Sequence, residues 1–382
     1  MKFCSYAFRP ASLAATALLL AAGAAHADAL PTPSMSGPLA ANASPMSFDS
    51  GFGNIYVGGA ISGLALYQTN HTSLAGDHET LLDFTNGQVF IQKTDGLLQF
   101  YVQAGEYSLP SLGLPYVRAT TNTTATFGVV PVAYLKIAPT DNFNIEAGKL
   151  PTLIGAEYTF TFENLNIERG LLWNEEPAVS RGVQANYTAG PLAFSVSWND
   201  GAYSNKYDWV SGSAAWTISP SDTVSFVAGG DLGKATFSVI NSESVYNLIW
   251  THTSGPWTFT PYAQYTHVPS ISIYPSTDTW GGALLANYAF SPNWSLGGRA
   301  EYIKQTTGYD PVLLGTNSSA WSITVTPTYQ YKLWFARMDL SYVTASHVND
   351  IFSAQTSPGP GFGTSGTDTG QFRAMLELGI LF

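Results

Sequence analysis

Apolar and polar residues alternate along this chain from Phe52 to its last residue. In the final segment Phe372, Ala374, Leu376, Leu378, Ile380 and Phe382 are apolar, and Arg373, Glu377 and Gly379 stand between them. An extended strand turns successive side chains to opposite faces, so one face here is greasy and the other carries charge. Trp334, Ala336, Met338, Leu340 and Tyr342 repeat the pattern, opposed by Phe335, Arg337, Asp339 and Ser341. So do Trp294, Leu296, Gly298, Ala300 and Tyr302, opposed by Ser295, Gly297, Arg299 and Glu301. A soluble sandwich would bury such a face equally well. Two features favour a membrane. Aromatic residues close both ends of the stripes, as Trp280 and Phe290 do, and Trp294 with Tyr302, Trp334 with Tyr342 and Trp257 with Tyr265. At a tilted rise of about 3.3 Å per residue, the first pair spans roughly 25 Å of height, the depth of a lipid-facing band. Short turns also alternate with longer polar connections, as in outer-membrane barrels with short periplasmic turns and long external loops.

The short turns are Thr94–Gly96, Pro139–Asn142, Ala189–Pro191, Ser219–Asp222, Ser254–Pro256, Ser291–Asn293 and Gln330–Lys332. These join fourteen strands, and the runs 52–67 and 370–382 add one at each end. The expected fold is therefore all-β: a transmembrane antiparallel up-and-down β-barrel of about 16 strands (14–18). The weakest strand segments are 87–94 and 125–138. One texture persists throughout, which predicts a single barrel domain over 51–382. Residues 28–50, rich in Pro, Ala and Ser, are expected to be a flexible periplasmic leader without a core. Residues 1–27 read as a cleaved signal peptide. Lys2 and Arg9 precede an apolar run from Leu13 to Ala22, and Ala25-His26-Ala27 offers small residues for cleavage. That run is too short to span a bilayer.

Composition supports the same reading. Charged residues make up 11% of the chain and aromatics 14%, with mean hydropathy of +0.05. A soluble domain carries roughly 25% charge, and a helical membrane protein is far more apolar. A barrel that is greasy outside and polar inside fits between them. Of 15 Lys+Arg and 26 Asp+Glu, the signal removes two basic residues, leaving 13 against 26. That acidic balance argues against nucleic acid as a partner. The single cysteine, Cys4, falls within the signal, so the expected mature chain has no thiol or disulfide.

Charge is concentrated in one connection. Lys149 to Ser180 joins the fifth and sixth expected strands and is thus the third long loop. It carries Glu157, Glu163, Glu168, Arg169, Glu175 and Glu176. By analogy with general porins it is expected to fold inward and constrict the lumen. Alternation places Lys136, Glu146, Arg299, Glu301, Arg337, Asp339, Arg373 and Glu377 on the lumen wall. An acidic loop facing wall arginines would set a field across a pore, and such clusters govern ion preference. The loop's five acids against one arginine suggest a mild cation preference. Mutual pairing of these charges is the bland alternative.

The same region carries a resemblance. Ala147-Gly148-Lys149-Leu150-Pro151-Thr152-Leu153-Ile154-Gly155-Ala156-Glu157, then Asn164, Asn166 and Arg169, then Ser180-Arg181-Gly182-Val183-Gln184-Ala185-Asn186-Tyr187, resemble the OmpL-like outer-membrane β-barrel porin family. The resemblance is sharp over 147–187 and one of texture elsewhere. It implies an outer-membrane barrel of porin type and names no solute.

Enzymatic chemistry finds little footing. Gly361, Gly363 and Gly366 match a dinucleotide spacing but lack a strand-to-helix context. The histidines after the signal, His71, His78, His252, His267 and His347, are scattered. His267 near Ser270 or Ser272 is the nearest approach to a hydrolase pair. No cofactor and no metal are expected. The expected function is passive diffusion of small hydrophilic solutes or ions. A closed adhesion barrel acting through 344–369, or an outer-membrane hydrolase, is the alternative. The expected partners are outer-membrane lipid and lipopolysaccharide, small solutes, the outer-membrane assembly machinery through Phe382, and two further copies in a homotrimer.

Overall fold

The computed structural model describes residues 30, 32–74, 76–233, 239–270, 275–306, 315, 317–348 and 360–382. The expected signal peptide lies outside them. A short strand, β1 (Met46–Asp49), precedes β2 (Asn54–Gln68), β3 (Thr80–Lys93), β4 (Leu98–Tyr107), β5 (Val132–Thr140) and β6 (Phe143–Pro151). Then come β7 (Val179–Ala189), β8 (Leu192–Asn199), β9 (Trp209–Ser219), β10 (Asp222–Asp231), β11 (Ser244–Ser254) and β12 (Trp257–Val268). The chain finishes with β13 (Thr277–Ala289), β14 (Trp294–Gln305), β15 (Ser319–Tyr331), β16 (Trp334–Ser346) and β17 (Gly370–Leu381).

Strands β2 to β17 each pair antiparallel with their chain neighbours. The last pairs with the first, from Arg373↔Gln68 to Leu381↔Ala60. Among the described residues sixteen strands thus close an up-and-down barrel, and closure removes the unpaired sheet edges that would otherwise invite other strands. Strand β1 stands outside this count. It pairs with the foot of β2, Met46↔Val57 to Asp49↔Asn54, below the last pairing of β17.

All seven expected short turns fall at junctions on one end of the barrel, and the long connections gather at the other. The segment expected as a strand over 125–138 begins its strand only at Val132. Ahead of it, Ala119–Ala125 forms a short helix, α1. Alternation could not show this, because a stretch of threonines carries no apolar period.

The two faces of the wall differ as expected. Along β14, Trp294, Leu296, Ala300 and Tyr302 are exposed, while Ser295, Arg299, Glu301 and Gln305 are buried. Along β16, Trp334, Met338, Leu340 and Tyr342 are exposed, while Arg337, Asp339 and Ser341 are buried. Trp280, Phe290 and Trp257 also face outward. Rings on neighbouring strands pack as girdle pairs: Tyr265 lies 4.3 Å from Trp280, and Trp294 lies 4.7 Å from Tyr329, centroid to centroid. A polar inside and an apolar outside invert the order of a soluble protein, which suits a lipid solvent.

Candidate functional site

The site is built where the connection between β6 and β7 meets the inner wall. Every residue from Thr159 to Leu172 is buried, though this stretch is irregular apart from two short 3-10 turns, Thr161–Glu163 and Leu172–Glu175. Irregular backbone leaves N–H and C=O groups without ladder partners, and burial requires that each find one. The inner wall supplies them. Asp339 on β16 accepts from the N–H groups of Ile167 and Glu168 at 2.8 and 2.9 Å. Glu301 on β14 accepts from Leu171 N–H at 3.0 Å. Arg337 donates to the carbonyls of Asn164 and Thr161 at 3.0 and 2.8 Å. The polar side chains of the wall thus do for the loop what a sheet does for a strand.

Most of the expected charges do meet, but as contact pairs. Arg299 donates to Glu157 at 2.6 Å and to the carbonyl of Glu168 at 2.7 Å. Its Nε lies 3.1 Å from Glu301. Arg373 donates to Glu168 at 3.0 Å, to Gln68 on β2 and to the carbonyl of Ser111. Arg337 turns to Glu377 on the adjacent strand, 2.5 Å away, and engages loop backbone rather than a loop acid. The expected field between an acidic loop and a basic wall therefore collapses here into short ion pairs. Buried charges cost several kcal/mol each unless paired, and pairing removes most of that cost. Lys136 and Glu146 face each other across β5 and β6 at 3.5 Å and touch no loop acid.

The other expected loop residues divide. Glu163 accepts from the N–H of Phe160 at 2.9 Å, and burial pushes its carboxyl up to about 8. Glu175 accepts from Thr266 on β12 at 2.7 Å. The Glu176 carboxylate has no hydrogen-bond partner among the described residues. Burial, together with the carboxylates of Glu157, Glu301 and Glu175, pushes its carboxyl up. Arg169 points to no wall acid. Its guanidinium lies 5.0 Å from the ring of Trp173, and its side-chain nitrogens have no hydrogen-bond partner among the described residues. A β-carbon at Gly170 would come within 2.0 Å of the Glu301 carboxylate, so a side chain there must displace that carboxylate.

Two segments missed by sequence reasoning share this interior. The connection after β4 runs inside the barrel. Ser111 bonds Asn174 of the charged loop, and Tyr116 donates to Asp83 on β3. Arg373 also donates to the carbonyl of Leu114. The leader is the second. Ser36 N–H donates to the carbonyl of Glu163 at 2.8 Å, Leu39 is 2% exposed, and Ala40 exchanges two hydrogen bonds with Gln330. A segment expected to lack a core borrows one from the loop. Alternation offered no signal for either, because their contacts join backbone groups and polar side chains far apart in the chain.

The expected hydrolase pair is not assembled among the described residues. His267 and Tyr265 both bond Asp278, at 2.8 and 2.7 Å, on the outward rim. Ser270 takes no part in that cluster, and Ser272 lies outside the described residues. Among the described residues no group of His, Cys, Asp and Glu is arranged to hold a metal.

Comparison with known proteins agrees with this architecture. The sequence pattern of the OmpL-like beta-barrel porin-2 family matches residues 54–382. No curated protein matches in sequence. Among solved structures the barrel is similar to an anion-selective porin from Comamonas acidovorans, with a TM-score of 0.60 at 11% identity over 86% of this chain and 99% of that one. It is also similar to outer-membrane expressed OmpT of Vibrio cholerae, at 0.58 and 11% over 89% and 100%. A Salmonella typhi OmpF complex with daunomycin scores 0.54 at 12% over 88% and 100%. At such identities the likeness is one of fold.

Proposed function

Because the chain belongs to the OmpL-like beta-barrel porin-2 family, we propose that it is a narrow outer-membrane diffusion pore for small hydrophilic solutes or ions, with no turnover of its own. The observation that carries this reading is the inner wall. Gln88, Gln103, Ser195, Gln264, Thr324 and Thr326 face a lumen that no soluble core would make so polar. Sixteen strands enclose room for an aqueous channel.

The charged loop fills much of that room. In this reading it is the constriction, with Glu157, Glu163, Glu168, Arg169, Glu175 and Glu176 packed within it and passage left to its margins. Since Glu157 and Glu168 are already paired, selectivity falls to Glu163 and Glu176, whose raised carboxyls ionise as pH rises, so the preference for cations grows with pH. Export through the signal peptide, assembly through Phe382, an envelope of lipid and lipopolysaccharide, and trimeric association complete the proposal.

Single-channel recording of the folded mature chain in a planar bilayer tests it. Steps that scale with salt concentration are expected. Silence from protein shown to be inserted would overturn the pore. It would favour the second reading, a closed barrel displaying its long loops, for which the packed interior is the specific support.

A further inference from the structure

Outside the barrel, near the long-loop end of β5 to β8, the wall carries a hollow of about 470 Å³. Val130, Val183, Trp198 and Tyr207 line it, and two cations, Lys149 and Arg181, stand at it. The two are register partners on β6 and β7, each two residues from the long-loop end of its strand. They share the outward face with Ile145, Val183 and Tyr187, all exposed. A greasy strip on the outer surface thus runs up the barrel and ends in a pair of positive charges. Trp198, with its indole N–H bonded to the carbonyl of Tyr207, marks the level of the aromatic belt, where lipid headgroups begin.

The cations are held in place. Lys149 donates to the carbonyls of Phe127 and Val130 at 3.2 and 2.7 Å, which leaves its ammonium a third proton. Arg181 bonds buried Asp200 through Nε at 2.7 Å and the carbonyl of Tyr203 through Nη2 at 3.1 Å. Its guanidinium lies 3.9 Å from the Tyr203 ring. Counting Asp200, the cluster keeps one net positive charge in an acidic chain. Basic residues are scarce here, and charge on a lipid-facing wall is unfavourable unless it meets charge in the lipid.

We infer that Lys149 and Arg181 form a binding site for the phosphate of an outer-leaflet glycolipid of the lipopolysaccharide type. Its acyl chains lie along the strip below and fill the hollow. Fixed cations beside an apolar groove match an anionic headgroup on a hydrocarbon anchor, and each basic residue near such a headgroup adds to the attraction. The site does not depend on whether the lumen conducts.

Native mass spectrometry of the folded mature chain in detergent, with diphosphoryl lipid A as the probe, tests it. The wild type is expected to retain the lipid. K149Q/R181Q is expected to retain at least about tenfold less, the scale of losing two such contacts. V183E, which sets a carboxylate in the hollow at an exposed position, is expected to lose it as well. This second variant leaves both cations and their hydrogen bonds intact, so it still decides the matter if the double variant fails to fold, as judged by heat-modifiable gel mobility. Lipid A stripped of phosphate is expected to bind weakly, and excess inorganic phosphate to leave the diphosphoryl form in place. Equal retention by wild type and variants, or equal binding of the stripped lipid, overturns the inference. Displacement by inorganic phosphate makes this a free-anion site and overturns it too. A disulfide between two copies of V183C in membranes shows the hollow to be covered by protein, with the same result.

Discussion

At the scale of single residues the interior is a set of buried charges, most of them held by an assigned partner on the wall or the loop. Arg337 and Glu377 are the simplest case, both fully buried and in direct contact. R337M strands the carboxylate and is expected to lower stability by about 3–5 kcal/mol, whereas R337M/E377M, which removes both charges, should recover most of that loss. Urea unfolding in micelles, followed by tryptophan fluorescence, measures both variants. Glu163 behaves differently, because it has a backbone donor and no basic partner in contact. With its carboxyl raised to about 8, it is neutral at pH 7 and becomes charged as pH rises through that value. Cation preference, read as a reversal potential in a salt gradient, is expected to strengthen between pH 7 and pH 9. E163Q should flatten that dependence, and an equally steep profile in E163Q would place the titration elsewhere.

At the scale of elements, the loop between β6 and β7 and the strands it touches have separate duties. The strands complete their own hydrogen-bond ladders, so the barrel can close without the loop. Replacing 153–177 by a short Gly-Ser link is expected to leave the heat-modifiable mobility of the folded barrel in place and to raise single-channel conductance several-fold. Unchanged conductance would mean that the narrowing lies elsewhere, in the segment after β4 or in the leader. G170A tests the same loop more gently. It forces the Glu301 carboxylate aside, and a changed conductance with an intact barrel is the expected result. The outer face answers to lipid instead. Leu284, mid-strand on β13 and exposed, is expected to cost about 2–4 kcal/mol as L284R, measured by equilibrium folding into vesicles, and almost nothing as L284F.

At the scale of the whole molecule, the closure of sixteen strands organises everything else, and much of it was legible in the chain. The alternation of Trp294 to Tyr302 with Ser295 to Glu301 told which face meets lipid, because a strand has only two faces and a bilayer accepts only one kind of side chain there. Turns such as Ala189–Pro191 gave the junctions, since a short polar break between two alternating runs has little else to be. Parity alone also put Arg299, Arg337 and Arg373 on the inner wall. It could not tell what they would touch. Whether Glu168 meets Arg373 or Arg337 depends on how a loop of irregular backbone is threaded, and that path is chosen by carbonyls and N–H groups with no letter in the sequence. The leader shows the same limit: composition marks it as coreless, yet Ser36 and Leu39 find a seat on the loop once the barrel has brought the two together. The sequence by itself determined the barrel, its two faces and its shortage of charge, because these follow from local period and solvent. Only the tertiary structure decided which charges cancel, what fills the lumen and where two outward cations come side by side, because those are matters of register and long-range contact.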